Sequence, residues 1–414
     1  MMGATVISCK KNNENQKPII EIVSPSVNTT FNVDETINVK VKASDDVEIK
    51  LIKVVINDEN SVAITASQSF SPNLKNTEKT FVFKLNDLGF KSGKYFISVM
   101  ANDGELETKK YLEINLNELP KTYTGFITSQ QTGNNSLLNL YNKNNTKEST
   151  FLFEGDFTDA VFFSSHQVLL GYGVNAKAKA FKIPSFSQTW EYTASSIKNL
   201  SVKDDRFFLL KSDNYTTGYT VSDFVTFKSY YEPSFIFSPA CAAVGINTIC
   251  VFQMQPNLMA QKKIICYDLN TTSILKEFLT NNIIKSIIHI KDELFAIHQI
   301  NTNSQHQIGL YNASTNVFSD VFTYDEIVKS IVQLDVNNLL VLTDSGLGIL
   351  NLQNLNFQMI LNQINITDFE YESLNNEIYL TRNNLVEKYS VSGNLIASTS
   401  LDHQPKSITL LYNK

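Results

Sequence analysis

From Pro18 onward the chain alternates apolar and polar positions in strand-length runs broken by turn residues. The first such runs are Ile19–Val23, Thr36–Val41, Leu51–Ile56, Phe81–Leu85, Tyr95–Val99 and Tyr111–Ile114. Turn signals such as Ser24-Pro25-Ser26 and Asn57-Asp58 separate them. A period of two with a turn every dozen or so residues predicts half-buried strands, and over residues 18–117 it predicts a β-sandwich.

Beyond residue 121 the pattern repeats. A polar residue followed by a short apolar run recurs at Asp159, Lys198, Pro233, Lys285, Lys329, Thr367 and Lys406, in steps of 39, 35, 52, 44, 38 and 39 residues. A second anchor, a large side chain just before a turn, recurs at Tyr141, Phe181, Tyr219, Tyr267, Tyr311, Leu350 and Tyr389. Its steps are 40, 38, 48, 44, 39 and 39. A period near 40 with four strand-like runs per unit predicts a β-propeller, and seven anchors predict seven blades over residues 121–414. The long middle steps place insertions near Met254–Lys262 and Ile300–Gln307. The first unit, beginning at Tyr123, lacks an inner strand, and the chain ends in one, Ile408–Tyr412. The expectation is closure: the last strand completes the first blade and removes two free sheet edges. The fold class expected is all-β, an N-terminal sandwich followed by a seven-bladed propeller closed by the C-terminal strand.

Three resemblances add to this reading. Val41-Lys42-Ala43-Ser44-Asp45-Asp46-Val47 and the run from Gly93 to Gly104 resemble bacterial immunoglobulin-like (Ig-like) domains, with Tyr95 at the place of their corner tyrosine. Cysteine and tryptophan are absent from this stretch, so the antibody-type core is not implied. The run from Glu377 to Asn384 resembles the Tyr-Val-Thr-Asn repeats of bacterial surface propellers, and Tyr267–Thr272 resembles the outer hairpin of that group and of quinoprotein-like propellers. There is no Trp-Asp dipeptide and no kelch Gly-Gly pair, and Thr189-Trp190 lacks the rest of a sialidase Asp box. Val6-Ile7-Ser8-Cys9 resembles the lipobox of bacterial lipoproteins, in which the cysteine is acylated. Eight residues precede Cys9, without the charged and apolar regions of a complete signal peptide. Lys10–Lys17 is polar, as a tether between lipid and domain would be. These resemblances imply a lipid-anchored protein of the outer membrane or cell surface: residues 1–17 as tether, 18–117 as a spacer that holds the propeller off the membrane, and the propeller beyond. The alternative is a soluble protein with a frayed first segment.

Composition narrows the function without naming it. The 414 residues carry 35 basic and 41 acidic side chains, a net charge of −6, with no long basic block. Nucleic-acid binding therefore has little electrostatic support. No apolar run reaches the length needed to span a bilayer, so membrane contact is expected only through the lipid. No Gly-rich phosphate loop, nucleophile elbow or paired metal-ligand spacing occurs, and no catalytic residue, cofactor or metal is expected. The five histidines, His166, His289, His298, His306 and His403, lack His-x-His or His-x-x-x-His spacing. His289 lies on an inner strand and is read as a buried structural group. Asp45, Asp46 and Asp103 offer the carboxylates that a calcium site draws on, but the dense Asp/Asn spacing of a calcium loop is missing, and they are read as acidic turn residues facing water.

Lys198, Lys285, Lys329 and Lys406 begin the inner strands of four blades and are expected to ring one mouth of the channel. Four ammonium groups over a concave opening raise its potential and suit an anionic ligand, although Asp325, Glu326 and Asp402 lie close by in sequence. Loops on the same face, Gln130–Asn135, Asp213–Thr217, Gln253–Lys262 and Gln299–Gln307, carry Tyr215, Met254, Met259 and His306. Tyr215 and His306 are taken as further ligand contacts. Cys241, Cys250 and Cys266 fall on three successive strands of the fourth blade, as buried thiols or with two of them paired in a disulfide. The expected function is non-enzymatic binding or scaffolding of a protein, glycan or other anionic partner at the propeller rim. The alternatives are a polysaccharide-processing envelope enzyme and a structural subunit of a surface complex.

Overall fold

The structure is a computed structural model describing residues 15–85, 90–173, 176–193, 197–211, 215–231, 238–254 and 262–414. Cys9 and its lipobox, Asp213, Pro233 and Met259 lie outside these residues. The chain divides into two compact units between Pro120 and Lys121. Among the described residues no helix is long and apolar enough to cross a membrane.

The described residues of the first unit form eight strands: β1 (Ile19–Ser24), β2 (Thr29–Asn32), β3 (Thr36–Ile49), β4 (Leu51–Asn57), β5 (Gln68–Phe70), β6 (Leu74–Lys84), β7 (Gly93–Asn102) and β8 (Glu107–Asn117). They form two sheets, in the orders β1-β3-β6 and β2-β8-β7-β4-β5. Alternation along each strand supplies the core. Ile37, Val39 and Val41 of β3, Ile52, Val54 and Ile56 of β4, and Ile97 and Val99 of β7 are fully buried. The hydroxyl of Tyr95 donates to the carbonyl of Lys91 at 3.1 Å, four residues upstream, which is the bond of a tyrosine corner. Strands β2 and β5 were not foreseen. Both are short and polar, and both sit at the edges of the larger sheet, where alternation is weakest.

The described residues of the second unit form seven four-stranded sheets. Sheet one joins strands from residues 123–153 to the C-terminal strand Ser407–Tyr412. Sheets two to seven occupy residues 159–191, 197–231, 238–280, 283–324, 328–361 and 366–400. Ser407–Tyr412 pairs antiparallel with Tyr123–Thr132, with Ile408 opposite Thr128 and Leu410 opposite Phe126. It thereby takes the place that the first strand holds in every other sheet. First strands of neighbouring sheets touch one another, in sheets one and two, three and four, four and five, five and six, and seven and one. They form the inner wall.

Each pair of successive sheets shares one apolar cluster, and sheet seven packs back onto sheet one through Phe126, Tyr141, Tyr379, Val386, Ile408 and Leu410. Each of the seven clusters contains one of the large anchors, and every anchor lies on a third strand. Third-strand glycines add a further regularity. Gly218, Gly309 and Gly348 each lie beneath an aromatic ring nine residues on, Phe227, Phe318 and Phe357. A Cβ at Gly348 would sit 2.3 Å from the Phe357 ring and 2.8 Å from the Gln358 carbonyl oxygen, so only glycine lets the fourth strand pack down there.

Candidate functional site

The first strands of sheets three, five and six begin with a β-bulge, and the bulged residues are Lys198, Lys285 and Lys329. Sheets four and seven repeat the bulge with Ala240 and Thr367. In sheet one Lys406 stands just before Ser407, its backbone N–H bonded to the Ser129 carbonyl at 2.8 Å. A bulge adds one unpaired residue and re-aims its side chain, so Lys198, Lys285 and Lys329 leave the ladder at one end of the unit, the end at which Lys406 precedes its strand. In sheet four the described first strand is Ser238–Val244, with Ala240 at the bulge equivalent to the lysines, and Pro233 lies outside the described residues.

Third strands also start at this end, because they follow an up-and-down pair. Tyr215 and His306 open the third strands of sheets three and five. Tyr215 has the ammonium of Lys211 5.6 Å from its ring centre. The Nδ1 atom of His306 lies 3.0 Å from Nε2 of His298 and accepts the Val328 N–H at 3.3 Å. Burial first, then the charges of His306 and Lys285, push the His298 imidazole down to about 4. Burial, then Lys285, also lowers His306, so both rings are neutral at pH 7. His289 is held by the Asp292 carbonyl oxygen at 2.8 Å and packs on Phe295.

The structure therefore gathers Lys285, His306 and Lys329 at sheets five and six. The rim is less basic than its four lysines suggest. Lys329 pairs with Asp344 at 3.1 Å, and Lys406 donates to the Phe157 carbonyl at 2.9 Å. The acids named from sequence proximity act elsewhere. Asp402 bonds Lys147 at 3.1 Å and His403 at 2.8 Å, and Glu326 accepts the Ser345 N–H. Around Lys406 lies an open cavity of about 370 Å³ lined by Gln130, Gln131, Thr367, Gln404, Pro405 and Lys406.

One step beyond the bulge, toward the interior, is a set of carboxylates that sequence reasoning missed. Asp159 and Asp368 occupy equivalent positions in sheets two and seven, and Glu370 lies two residues past Asp368. Asp368 accepts the Ile408 N–H at 2.9 Å, and Glu370 accepts the Leu410 N–H at 3.0 Å. They thus satisfy donors on the inner edge of the C-terminal strand, which no fifth strand covers. Asp159 approaches from the other side of that strand, and its charge acts on both. Desolvation by the surrounding protein pushes Asp159 up to about 6, although the residue keeps access to solvent. Burial and then the Asp159 charge push Asp368 up to about 7, and burial raises Glu370 well above the usual carboxylate range. The signal was present in the repeat itself. Aligning Lys406-Ser407 with Thr367-Asp368 and Thr158-Asp159 puts both aspartates in one column.

Cys241, Cys250 and Cys266 lie on three successive strands of sheet four, all buried. Cys250 faces Cys266 across the ladder, sulfurs 2.7 Å apart. Burial pushes the Cys241 thiol up to about 12 and Cys250 well above its ordinary value, which suits packing rather than nucleophilic chemistry.

Comparison with known proteins agrees with the fold. A family described as "Bacterial Ig domain" matches residues 18–99. No curated protein sequence matches. Apo AztD from Citrobacter koseri is similar at a TM-score of 0.50 and 10% identity, over 70% of this chain and 98% of that one. The Cps50 (Swd1) β-propeller domain of Myceliophteria thermophila reaches 0.49 at 9% identity, over 62% and 90%. U3-55K reaches 0.49 at 8%, over 61% and 84%. At 10% identity the likeness to apo AztD speaks for fold alone. The protein is thus an all-β protein with a bacterial Ig-like domain followed by a propeller-like unit. Its bacterial Ig domain points to an extracellular or surface protein.

Proposed function

We propose that this protein is a non-enzymatic binding or scaffolding protein of the bacterial cell surface, anchored by lipid at Cys9. In this reading each of the seven sheets is one propeller blade, and the contact surface is the end where first strands begin. The cavity around Lys406 carries the proposal. Three glutamine amides, the Thr367 hydroxyl and one ammonium give donors and acceptors for hydroxyl-rich ligands and a single positive charge for an acidic group. Lys198, Lys285 and Lys329 at equivalent bulges extend the positive field around the same mouth. The ligand is an acidic glycan or an acidic segment of a protein partner, and neither nucleic acid nor a cofactor takes part.

A second reading has a specific observation behind it. Asp159, Asp368 and Glu370 all bind protons more tightly than ordinary carboxylates, as an acid catalyst of polysaccharide cleavage does. Against it, Asp368 and Glu370 each spend an oxygen on a neighbouring strand's N–H, which assigns them to closing the ring.

Calorimetric titration at low salt with an acidic oligosaccharide and a neutral one of equal length tests the cavity. The acidic ligand is expected to bind the native chain more tightly, and Lys406→Ala to weaken it about tenfold, the loss of one charge-assisted bond. Equal affinity for both ligands, or no change in the variant, contradicts the proposal. Measurable cleavage of the oligosaccharide moves the case to the second reading.

A further inference from the structure

The first unit holds three oxygen atoms that are buried and lack any hydrogen-bond donor: Asn15 Oδ1, Asp45 Oδ2 and Asp103 Oδ2. They come from three separate segments, the residues leading into β1, the irregular stretch of β3, and the β7–β8 turn. In each case the other polar atom of the side chain is anchored. Asp103 Oδ1 accepts the N–H groups of Glu105 and Leu106 at 2.7 and 2.6 Å. Asp45 Oδ1 accepts the Asp46 N–H at 2.7 Å, and Asn15 Nδ2 donates to Glu105 Oε2 at 3.2 Å. The Gln16 N–H bonds Asp46 Oδ1 at 3.2 Å, fixing the lead-in beside β3. Asp103 is only 5% exposed, so its second oxygen does not face water as a turn carboxylate would.

The three groups lie together. The Asp103 charge acts on Asp45, and the Asn15 amide acts on Asp103. A buried acceptor left without a donor costs about 1–3 kcal/mol, and two neighbouring carboxylates add repulsion. A cation among the three oxygens removes both costs at once.

We propose that Asn15, Asp45 and Asp103 form a calcium site that ties the lead-in segment to the Ig-like domain. The donors are all hard oxygens, they arise from three segments, and they mix carboxylate with amide, which suits calcium's irregular coordination. Magnesium demands a tighter octahedron and keeps most of its water. Among the described residues no three His, Cys, Asp or Glu side chains are set to hold a metal, and here the third donor is an amide. Two carboxylates and one amide leave the remaining positions to water and Glu105 or backbone oxygens. Such a low ligand charge gives weak binding, with Kd about 0.1–1 mM, the range of extracellular modules. Lys75 Nζ donates to the Asp46 carbonyl at 2.6 Å and further limits the affinity.

The test is calorimetric titration of the full chain, stripped with chelator, with calcium chloride and then with magnesium chloride at equal ionic strength. Calcium is expected to bind and to raise the melting temperature, and magnesium to do neither at the same concentration. Asp103→Asn keeps the turn acceptor and removes a charge, and it should weaken calcium about tenfold or more. Asn15→Ala lies outside the sandwich core and should weaken calcium while leaving calcium-free melting unchanged. No calcium response in the native chain, which would leave water on these oxygens, overturns the proposal. So does an unchanged response in both variants.

Discussion

Removing residues 405–414 is expected to abolish cooperative melting of the second unit. Ser407–Tyr412 supplies the inner strand of sheet one. Its Ile408 and Leu410 fill the cluster between sheets seven and one, and Leu411 fills the next. Burial of three such side chains stabilises by about 5–9 kcal/mol, comparable with the entire net stability of about 5–15 kcal/mol of a folded domain. The loss also leaves Asp368 and Glu370 without the Ile408 and Leu410 N–H groups. Trp190 is the only tryptophan and packs on Phe207, Tyr219 and Phe224, so its fluorescence follows the second unit. The truncated protein should show no sharp tryptophan transition. A single sharp transition near the full-length temperature would sink ring closure by this strand.

The second large effect is on pH dependence. Asp159 and Asp368 are pushed up to about 6 and about 7 in the folded protein, above the ordinary carboxylate value, and Glu370 is raised as well. The native state therefore holds more protons than the unfolded chain between about pH 4 and 7. Stability from these groups is full below the unfolded value and falls as pH rises through the folded ones. Asp368→Asn retains an acceptor for the Ile408 N–H and carries no charge. It should stabilise the protein at pH 8 by about 1–3 kcal/mol and leave it nearly unchanged at pH 4. That corresponds to a melting temperature higher by roughly 3–8 °C at pH 8. His298, lowered to about 4, works in the opposite sense as pH falls, but it is present in both proteins and cancels in the difference. An equal shift at both pH values would contradict the assignment of a proton-holding carboxylate at position 368.

Residues whose side chains repeat were legible in the sequence, and residues whose role depends on a neighbouring strand were not. The third-strand anchors from Tyr141 to Tyr389 each fill one inter-sheet cluster, so packing forces a large apolar group into every unit. The lysine column was visible because each lysine precedes an apolar run. The β-bulge that Lys198, Lys285 and Lys329 share was not, since a bulge is a property of the pairing between strands. The bulge of sheet four falls on Ala240, a small apolar residue that no lysine marks, so its register was not legible. Asp368 and Glu370 looked like scattered acids until the adjoining strand, forty residues away, brought its N–H groups to them. Asp103 reads as a turn residue, and only the meeting of three segments shows its second oxygen enclosed.

The central claim is that the end bearing Lys198, Lys285, Lys329 and Lys406 is the binding surface. The direct measurement is the affinity of the full chain for an acidic oligosaccharide at low and at physiological salt, set beside a variant with glutamate at all four positions. The account predicts that the native chain binds at low salt and weakens as salt rises. The variant should keep a sharp tryptophan transition, at a somewhat lower temperature because the Lys329–Asp344 and Lys406–Phe157 contacts are lost, and should lose at least about a hundredfold in affinity, as reversal of four charges at one mouth requires. Equal affinity of the two proteins, with both folded, would contradict it.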